Sequence, residues 1–229
     1  MMVPMRGDQK WKEAKLGRIF RHRDVVQLSA KRREVRQSVY VSAFEGVDKF
    51  FPKLERHLVG YRNLVILGDG ADWIWRWAED NYPGAQQILD FYHAREKLVV
   101  FAKHQFAQDD TRIEWVKTQS DRLLKDELEK VMTTVKSLRA RNPEAKHTKS
   151  KLLNYYQTHD DRMAYKTYRD QGLLIGSGPI EAAHRSVLQQ RMNLSGQQWS
   201  LTGAKAIANL RCYHSSRAWN QIEQIVKVA

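Results

Sequence analysis

The stretch Leu64-Val-Ile-Leu-Gly-Asp69-Gly-Ala carries the strongest structural information in the chain. Its unbroken aliphatic run predicts a strand over residues 63–67 that is covered on both faces, as in a mixed or parallel sheet. Asp69 follows at the position where the end of a strand can hold a carboxylate toward a cleft in an open α/β sheet. The flanking glycines would let a metal ion or phosphate approach. Asp-Gly after a strand is also an ordinary turn, so both interpretations stay open.

Helical and strand patterns continue from this stretch toward the C-terminus. Apolar spacing predicts a helix over 72–81 with Trp73, Ile74 and Trp77 on one side, and we expect the tryptophans of this helix to pack rather than stack on a ligand. A second strand is predicted over 87–92. From 93 to 171 the pattern is almost entirely helical, with its clearest break at Arg141-Asn-Pro-Glu, and it predicts an inserted helical subdomain.

The two ends of the chain differ in pattern. Residues 1–60 favour short strands over 14–20 and 38–44, separated by a segment crowded with Arg and Lys, and then a helix over 45–58 that Pro52 could kink. After a glycine-rich turn, helices are predicted over 179–193 and, long or broken, over 200–228. The predicted organisation is a core over 1–101, a helical insertion over 102–172 and C-terminal helices over 173–229 that complete the core.

Composition narrows the class of protein. The 229 residues are 42% hydrophobic, which is enough for a packed interior, and 39 Lys and Arg against 26 Asp and Glu give a net charge of +13. Such a charge favours a polyanionic partner, with nucleic acid as the leading candidate, although a merely soluble basic surface has the same composition. The single cysteine, Cys212, allows neither an internal disulfide nor a cysteine-based zinc site, so a reducing cytoplasm is expected. No apolar run approaches bilayer length and no signal peptide is apparent.

Three further residues could take part in chemistry. Glu181 opens a helix behind Gly176-Ser-Gly-Pro, where backbone N–H groups favour an anion, so capping alone could explain it. His184 and Arg185 on the next turn favour a functional role. Asp90 and His93 lie three residues apart across the end of the second strand, which suits either a catalytic pair or a supporting, architectural one.

Carboxylates from distant parts of a chain can bind two Mg²⁺ or Mn²⁺ ions, which prefer hard oxygen ligands and assist phosphodiester cleavage or strand transfer. Zinc fits poorly, because no H-E-x-x-H pattern is present. The C-terminal helices carry cations that could bind DNA phosphates while an indole stacks on a base, namely Arg185, Arg191, Lys205 and Arg211 with Trp199. A solvated helix face with Trp199 in the core is the alternative.

Taken together, these motifs resemble DDE transposases of bacterial insertion sequences, most closely the ISKra type and more broadly the Mutator-like group. The resemblance runs through Met2-Val-Pro-Met-Arg, Trp11-Lys-Glu-Ala-Lys-Leu-Gly, Gly68-Asp-Gly-Ala-Asp-Trp-Ile-Trp, Ile88-Leu-Asp-Phe-Tyr-His-Ala-Arg-Glu, Gly176-Ser-Gly-Pro-Ile-Glu-Ala, Arg191-Met-Asn-Leu-Ser-Gly and Gln198-Trp-Ser. The last three blocks together are quite specific.

The resemblance implies an α/β fold with an RNase H-like mixed sheet, flanking helices and an inserted all-helical subdomain. It implies Asp69 and Glu181 as the second and third catalytic, metal-binding carboxylates, and Asp90 with His93 as a motif near the catalytic centre. It also implies Mg²⁺ or Mn²⁺ as cofactor, transposon ends and target DNA as partners, a possible homo-oligomer, and a bacterial cytoplasmic protein that joins the nucleoid when bound to DNA.

In the family pattern, the first catalytic aspartate belongs to an Asp-Gly pair just before the segment that Met2-Val-Pro resembles. The sequence begins at Met1, so that aspartate is missing from it. We therefore expect an N-terminally truncated transposase that lacks its first catalytic aspartate and has little or no independent activity. The alternatives are a noncatalytic basic DNA-binding remnant or regulator and, with less support, a structure-specific nuclease.

Overall fold

The computed structural model describes residues 1–8, 10–29 and 32–228. The chain is a mixed α/β protein that is 56% helical with small sheets, so helices supply most of its regular structure. It divides into two compact units: unit 1 comprises residues 1–61 and 178–229, and unit 2 comprises residues 62–177.

The described residues of unit 1 form six short strands in antiparallel pairs, and the predicted strands over 14–20 and 38–44 are confirmed as one such pair. Their residues alternate or run apolar, which suits a sheet with one buried face. The basic segment over 21–36 contributes a further antiparallel pair of strands. The strands are β1 (Met2–Pro4), β2 (Trp11–Glu13), β3 (Lys15–Ile19), β4 (Val25–Ser29), β5 (Arg32–Val35) and β6 (Val39–Ala43), and the pairs are β1 with β2, β3 with β6 and β4 with β5.

The helices of unit 1 follow the predicted pattern, with one local change in helical geometry. Pro52 lies inside the first helix. The helix predicted over 179–193 is continuous but takes π geometry over His184–Gln189, and the one predicted over 200–228 is broken before Trp219. The helices are α1 (Val47–Glu55), α8 (Gly178–Ala183), α9 (Gln190–Met192), α10 (Leu201–Ser215) and α11 (Trp219–Val228). Buried residues of β1, β3, α8, the π segment and α10 form the core of this unit.

Unit 2 begins with a strand, helix and strand whose two strands are parallel. These are β7 (Val65–Gly68), α2 (Asp72–Asn81) and β8 (Gln86–Leu89). The predicted helix over 72–81 is confirmed, but its buried side is carried by Trp75 and Trp77 rather than by Trp73 and Ile74. The expectation that β7 is covered on both faces is wrong at its first residue, because Val65 is 48% exposed at the edge of a two-stranded sheet.

The predicted strand over 87–92 is wrong at its end. β8 stops at Leu89, and the aromatic pair Phe91-Tyr92 opens a helix instead, since Asp90 caps that helix by accepting from the backbone N–H of His93. The remainder of unit 2 is helical, as predicted. Its helices are α3 (Phe91–Gln105), α4 (Asp109–Leu123), α5 (Leu128–Ser137), α6 (Pro143–Thr158) and α7 (Tyr165–Asp170).

The break predicted at Arg141-Asn-Pro-Glu lies between α5 and α6, where Asn142 caps α6 and Pro143 occupies its first turn. The core of unit 2 is formed by buried residues of β8 and α2 to α7. The predicted boundary at 101/102 falls inside α3, and the compact units divide at 61/62 and 177/178. The functional division into 1–101, 102–172 and 173–229 stays a prediction.

Within the described ranges, no helix combines the length and apolar character needed to cross a membrane.

Candidate functional site at the end of the parallel strands

Asp69 and Asp90 follow the last residues of two paired parallel strands. Gly68 of β7 is opposite Leu89 of β8, and the backbone N–H of Asp90 donates to the carbonyl of Gly68 at 2.7 Å. The carboxyl ends of parallel strands lie at one edge of a sheet, which is where α/β proteins commonly bind ligands. The structure therefore brings both acids, together with His93, to one edge of unit 2.

Asp69 has the turn geometry that was one of the two interpretations left open by the sequence. Its side chain Oδ1 accepts from the backbone N–H of Ala71 at 3.1 Å, which is the turn interaction typical of Asp. The residue is nevertheless exposed, and it forms no ion pair among the described residues. Tyr155 Oη donates to the Asp69 carbonyl at 3.1 Å and holds this turn against α6. The carboxylate is thus exposed and positioned by a fixed backbone.

The glycines beside Asp69 serve the packing of the protein itself. Gly70 has φ +92°, which favours glycine, and a side chain there would overlap the hydroxyl of Tyr155. At Gly68 a Cβ would lie 3.1 Å from Ile74 and 3.3 Å from Trp75. At both positions the space that a side chain would need is therefore occupied by other side chains of the protein.

Asp90 is fully buried and both of its carboxylate oxygens accept backbone N–H groups. Oδ1 accepts from His93 at 2.8 Å and Oδ2 accepts from Ser177. Burial by itself raises the pKa of Asp90, but the hydrogen bonds from His93 and Ser177 outweigh it and lower the pKa to about 2. This geometry supports the architectural role rather than direct metal binding, because the oxygens are already committed.

The contact with Asp90 holds residues 175–177 along the first turn of α3. The backbone N–H of Phe91 donates to the carbonyl of Ile175 at 2.8 Å, which adds a second backbone link. Tyr92 covers Gly176 so closely that a Cβ there would lie 2.6 Å from its ring. The glycine in the Gly176-Ser-Gly motif is thus required for this close approach, and sequence reasoning did not identify Ser177 as the partner of Asp90.

His93 is the titratable group of the site. Its Nδ1 lies 3.3 Å from Oδ1 of Asp90, a distance that allows an ion pair although the ring N–H is not aligned for a hydrogen bond. The interaction with Asp90 raises the pKa of His93 above 6.5 against the opposing effect of burial, and the carboxylates of Asp69 and Glu96 add to the rise. A protonated His93 would therefore be stabilised among these acids.

Tyr155 on α6 completes this edge and was missed from the sequence, where it is one of many aromatic residues in a helical pattern. Burial raises its pKa, and the carboxylates of Asp69, Asp90 and Glu96 raise it further. Its ring lies 5.0 Å from Nζ of Lys97 and 4.8 Å from the ring of His159. Tyr155 therefore stays a protonated hydrogen-bond donor to the Asp69 turn.

Glu181 belongs to unit 1, where it is exposed in the first turn of α8. The start of this helix is held by Arg18, a residue that sequence reasoning missed: Nη1 donates to the carbonyl of Pro179 at 2.7 Å, and Nε donates to Ser38 Oγ at 2.8 Å. Burial lowers the pKa of His184 to about 4, so this neighbour is neutral near pH 7. Of the two basic residues expected to support an anion here, only Arg185 is charged.

The predicted DNA-binding cations of unit 1 differ in their availability. The guanidinium carbon of Arg191 lies 5.0 Å from the centre of the Trp199 ring, and Lys205 forms an ion pair with Glu45. Arg211 donates to the carbonyl of Ser186 at 2.6 Å and to that of Val187. Arg185 is exposed, and its side chain forms no ion pair within the described ranges.

Trp199 is packed rather than presented for base stacking. It lies against the core of unit 1, and its Nε1 donates to the carbonyl of Met192 at 3.2 Å. Since Arg191 covers its ring as well, the core alternative describes this residue best.

The donor set fits a divalent ion only in part. No group of three or more His, Cys, Asp or Glu side chains able to hold a metal ion occurs among the described residues. Asp69 supplies the exposed hard oxygen that Mg²⁺ or Mn²⁺ prefers, and Mg²⁺ sites often use one or two carboxylates together with substrate phosphates. Asp90 does not fit, because its oxygens accept backbone N–H groups. Asp69 and Glu181 belong to different units, and their convergence stays a prediction.

No family model, curated protein or solved structure in the comparisons matches this chain.

Proposed function

We propose that this chain is a DNA-binding protein of the DDE transposase class, and that Asp69 is its metal-facing carboxylate in unit 2. The observation that carries the proposal is the exposed Asp69 directly after a parallel strand, beside a buried Asp90 that follows the neighbouring strand. The motif resemblance supplies the class, and the net charge of +13 supplies a reason for a polyanionic partner.

In this proposal the fold is RNase H-like, with the helices after β8 as its insertion. Asp69 and Glu181 would hold Mg²⁺ or Mn²⁺, which supplies charge stabilisation for cleavage and transfer of a phosphodiester. The contribution of the other residues is positional: Tyr155 holds the Asp69 turn through its hydroxyl, Asp90 holds the first turn of α3, and Arg18 holds the start of α8.

The test combines DNA binding with metal binding in the full chain. Wild type is compared with Asp69→Ala and Glu181→Ala, and with Asp121→Ala as a control at an exposed acid of α4. We expect duplex DNA to bind with an affinity that falls steeply with added salt. We also expect Mn²⁺ binding, followed by electron paramagnetic resonance, to fall in both site variants but not in the control.

A second candidate function is noncatalytic DNA binding. Two observations favour it. The described residues contain no group of three or more side chains able to hold a metal ion, and both carboxylate oxygens of Asp90 accept backbone N–H groups. It predicts DNA binding that survives Asp69→Ala and Glu181→Ala together with Mn²⁺ binding that neither change affects. Failure of wild type to bind duplex DNA at low salt would contradict both candidates.

A further inference from the structure

Unit 2 has an open groove between the end of α5 and the first half of α6. We call it the α5–α6 groove. Basic, hydroxyl and small apolar side chains line it, and none of the residues predicted from the sequence to bind DNA belongs to it. The lining residues are Lys136, Ser137, Leu138, Arg139, Ala140, Lys146, Lys149, Ser150 and Leu153.

Positive charge in unit 2 is concentrated at this groove. Residues 62–177 contain 19 Lys and Arg against 17 Asp and Glu, a net charge of +2, whereas residues 136–151 contain six Lys and Arg against a single acid, Glu144, a net charge of +5. The remainder of unit 2 is therefore net negative by 3. A concave surface of one sign raises the local concentration of counterions and of charged ligands.

The cations at the groove are available to a ligand. Lys136, Arg139 and Lys146 are exposed, and within the described ranges none of them pairs with a carboxylate. Two of the cations that we predicted in unit 1 differ in this respect, because Lys205 pairs with Glu45 and Arg211 binds backbone carbonyls.

The backbone around the groove is held by side chains from inside unit 2. Nζ of Lys149 donates to the carbonyls of Lys136 at 2.8 Å and Leu138 at 2.7 Å, so this lysine closes the C-terminal end of α5. Gln105 at the end of α3 donates to the carbonyl of Arg139 at 2.9 Å and accepts from the N–H of Arg141 at 3.2 Å. The exposed cations therefore extend from a fixed backbone, which reduces the ordering needed on binding.

We infer that the α5–α6 groove binds the phosphate backbone of DNA, with Lys136, Arg139 and Lys146 as the phosphate contacts and Lys149 as the residue that shapes the groove. This inference rests on the proposed function for its partner and adds a contact surface in unit 2. Contacts of this kind position a protein on a duplex without reading its sequence. The groove should thus accept duplexes of any sequence.

The experiment compares two triple variants of the full chain. The groove variant is Lys136→Gln, Arg139→Gln and Lys146→Gln. The matched control, Lys117→Gln, Lys125→Gln and Arg169→Gln, removes two lysines and one arginine that are also exposed in unit 2 but lie outside the groove. Binding of a labelled duplex of random sequence is measured by fluorescence anisotropy over a series of salt concentrations, and circular dichroism checks that both variants are folded.

We expect the groove variant to lose about 10-fold or more in affinity at low salt, and the slope of log K against log salt to become shallower by roughly 2 to 3. The control should stay within about 3-fold of wild type. Equal losses in both variants, or no loss in the groove variant, would overturn the inference and leave the proposed DNA binding intact. Absence of wild-type binding would overturn the proposed function as well.

Vesicles containing anionic lipid provide a second arm of the experiment. Loss of vesicle binding in the groove variant, with DNA binding unchanged, would assign the groove to a membrane surface and overturn the inference.

Discussion

The two units of this protein carry their positive charge in different ways. Unit 1 has 20 Lys and Arg against 9 Asp and Glu, a net charge of +11, whereas unit 2 is nearly balanced at +2. In unit 1, however, several cations of the C-terminal helices bind carbonyls, an acid or an indole of the same unit. In unit 2 a small net charge accompanies a groove with three exposed cations that form no ion pair among the described residues, namely Lys136, Arg139 and Lys146. Contacts, rather than the net charge of a unit, therefore decide which cations are available to a ligand.

Substitutions in the cores of the two units should have the largest effects on stability, and they distinguish the two units most directly. Leu98 is fully buried in the core of unit 2, and Leu98→Ala should lower the free energy of unfolding by about 2–5 kcal/mol. Hydrogen exchange should rise first within 62–177. Leu188→Ala in the core of unit 1 should act first on residues of that unit.

Val99→Ala serves as the control, since Val99 is 41% exposed on the same helix. It should change stability by less than about 0.5 kcal/mol. Equal increases in hydrogen exchange across both units after either leucine change would show that the two units do not open independently.

Asp90 gives the next largest effect, because it caps α3 and also holds Ser177. Asp90→Ala removes a helix cap and leaves a buried N–H without a partner, which should cost about 2–4 kcal/mol in urea unfolding at pH 7. Asp90→Asn keeps the size and one acceptor oxygen, so its cost should be smaller. Equal stability of the alanine variant and wild type would contradict the positional role.

Acid unfolding tests the same carboxylate. Its pKa falls from 3.8 to about 2 in the folded protein, so its stabilising contribution, ~2 kcal/mol, is present above about pH 4 and is lost as the pH falls toward 2. The difference in stability between wild type and Asp90→Asn should therefore shrink over that range. A constant difference from pH 7 to pH 2.5 would contradict the depressed pKa.

Arg211 and Arg185 test whether contacts decide which cations are available in unit 1. Arg211 binds two carbonyls of the π segment, so Arg211→Ala should lower the free energy of unfolding by about 1–2 kcal/mol, measured by urea denaturation. An unchanged midpoint of unfolding would show that these contacts contribute little.

Arg185→Ala should leave the free energy of unfolding unchanged. Its effect, the smallest of those predicted, should be on the affinity for DNA alone. One phosphate contact fewer should weaken duplex binding by a few-fold at low salt and reduce the salt slope by about 1. Anisotropy titration measures both quantities. A change in the unfolding midpoint without any change in DNA affinity would reverse the roles assigned to these two arginines.

The local spacing of apolar residues predicted correctly those elements whose structure depends mainly on their own sequence. The helix over 72–81 has the bounds that its spacing predicts, and β3 and β6 lie within the predicted ranges. Strand-like aromatic residues were misleading at Phe91 and Tyr92, because the hydrogen bond from His93 to Asp90 begins a helix there. The pairing of β4 with β5 was not predicted, because this segment is dense in basic residues.

The candidate site was only partly readable for a related reason. Asp69 at a strand end and Asp90 with His93 could be identified from residue order alone. The hydrogen bonds that occupy the Asp90 carboxylate could not be identified in this way, since its second partner, Ser177, is 87 residues away in the chain. Tyr155, Arg18 and the α5–α6 groove likewise depend on residues that only folding brings together.

Residue order and composition by themselves determined the helical character of unit 2, two strand segments with Asp69 and Asp90 near their ends, and the excess of positive charge. These properties depend on neighbours a few positions apart and on simple totals. The tertiary structure decided which acid is exposed and which is buried, which cations already have partners, and which glycines are filled by aromatic side chains. Each of these outcomes depends on long-range contacts, because burial and hydrogen bonding are set by groups that are distant in the chain and adjacent in space.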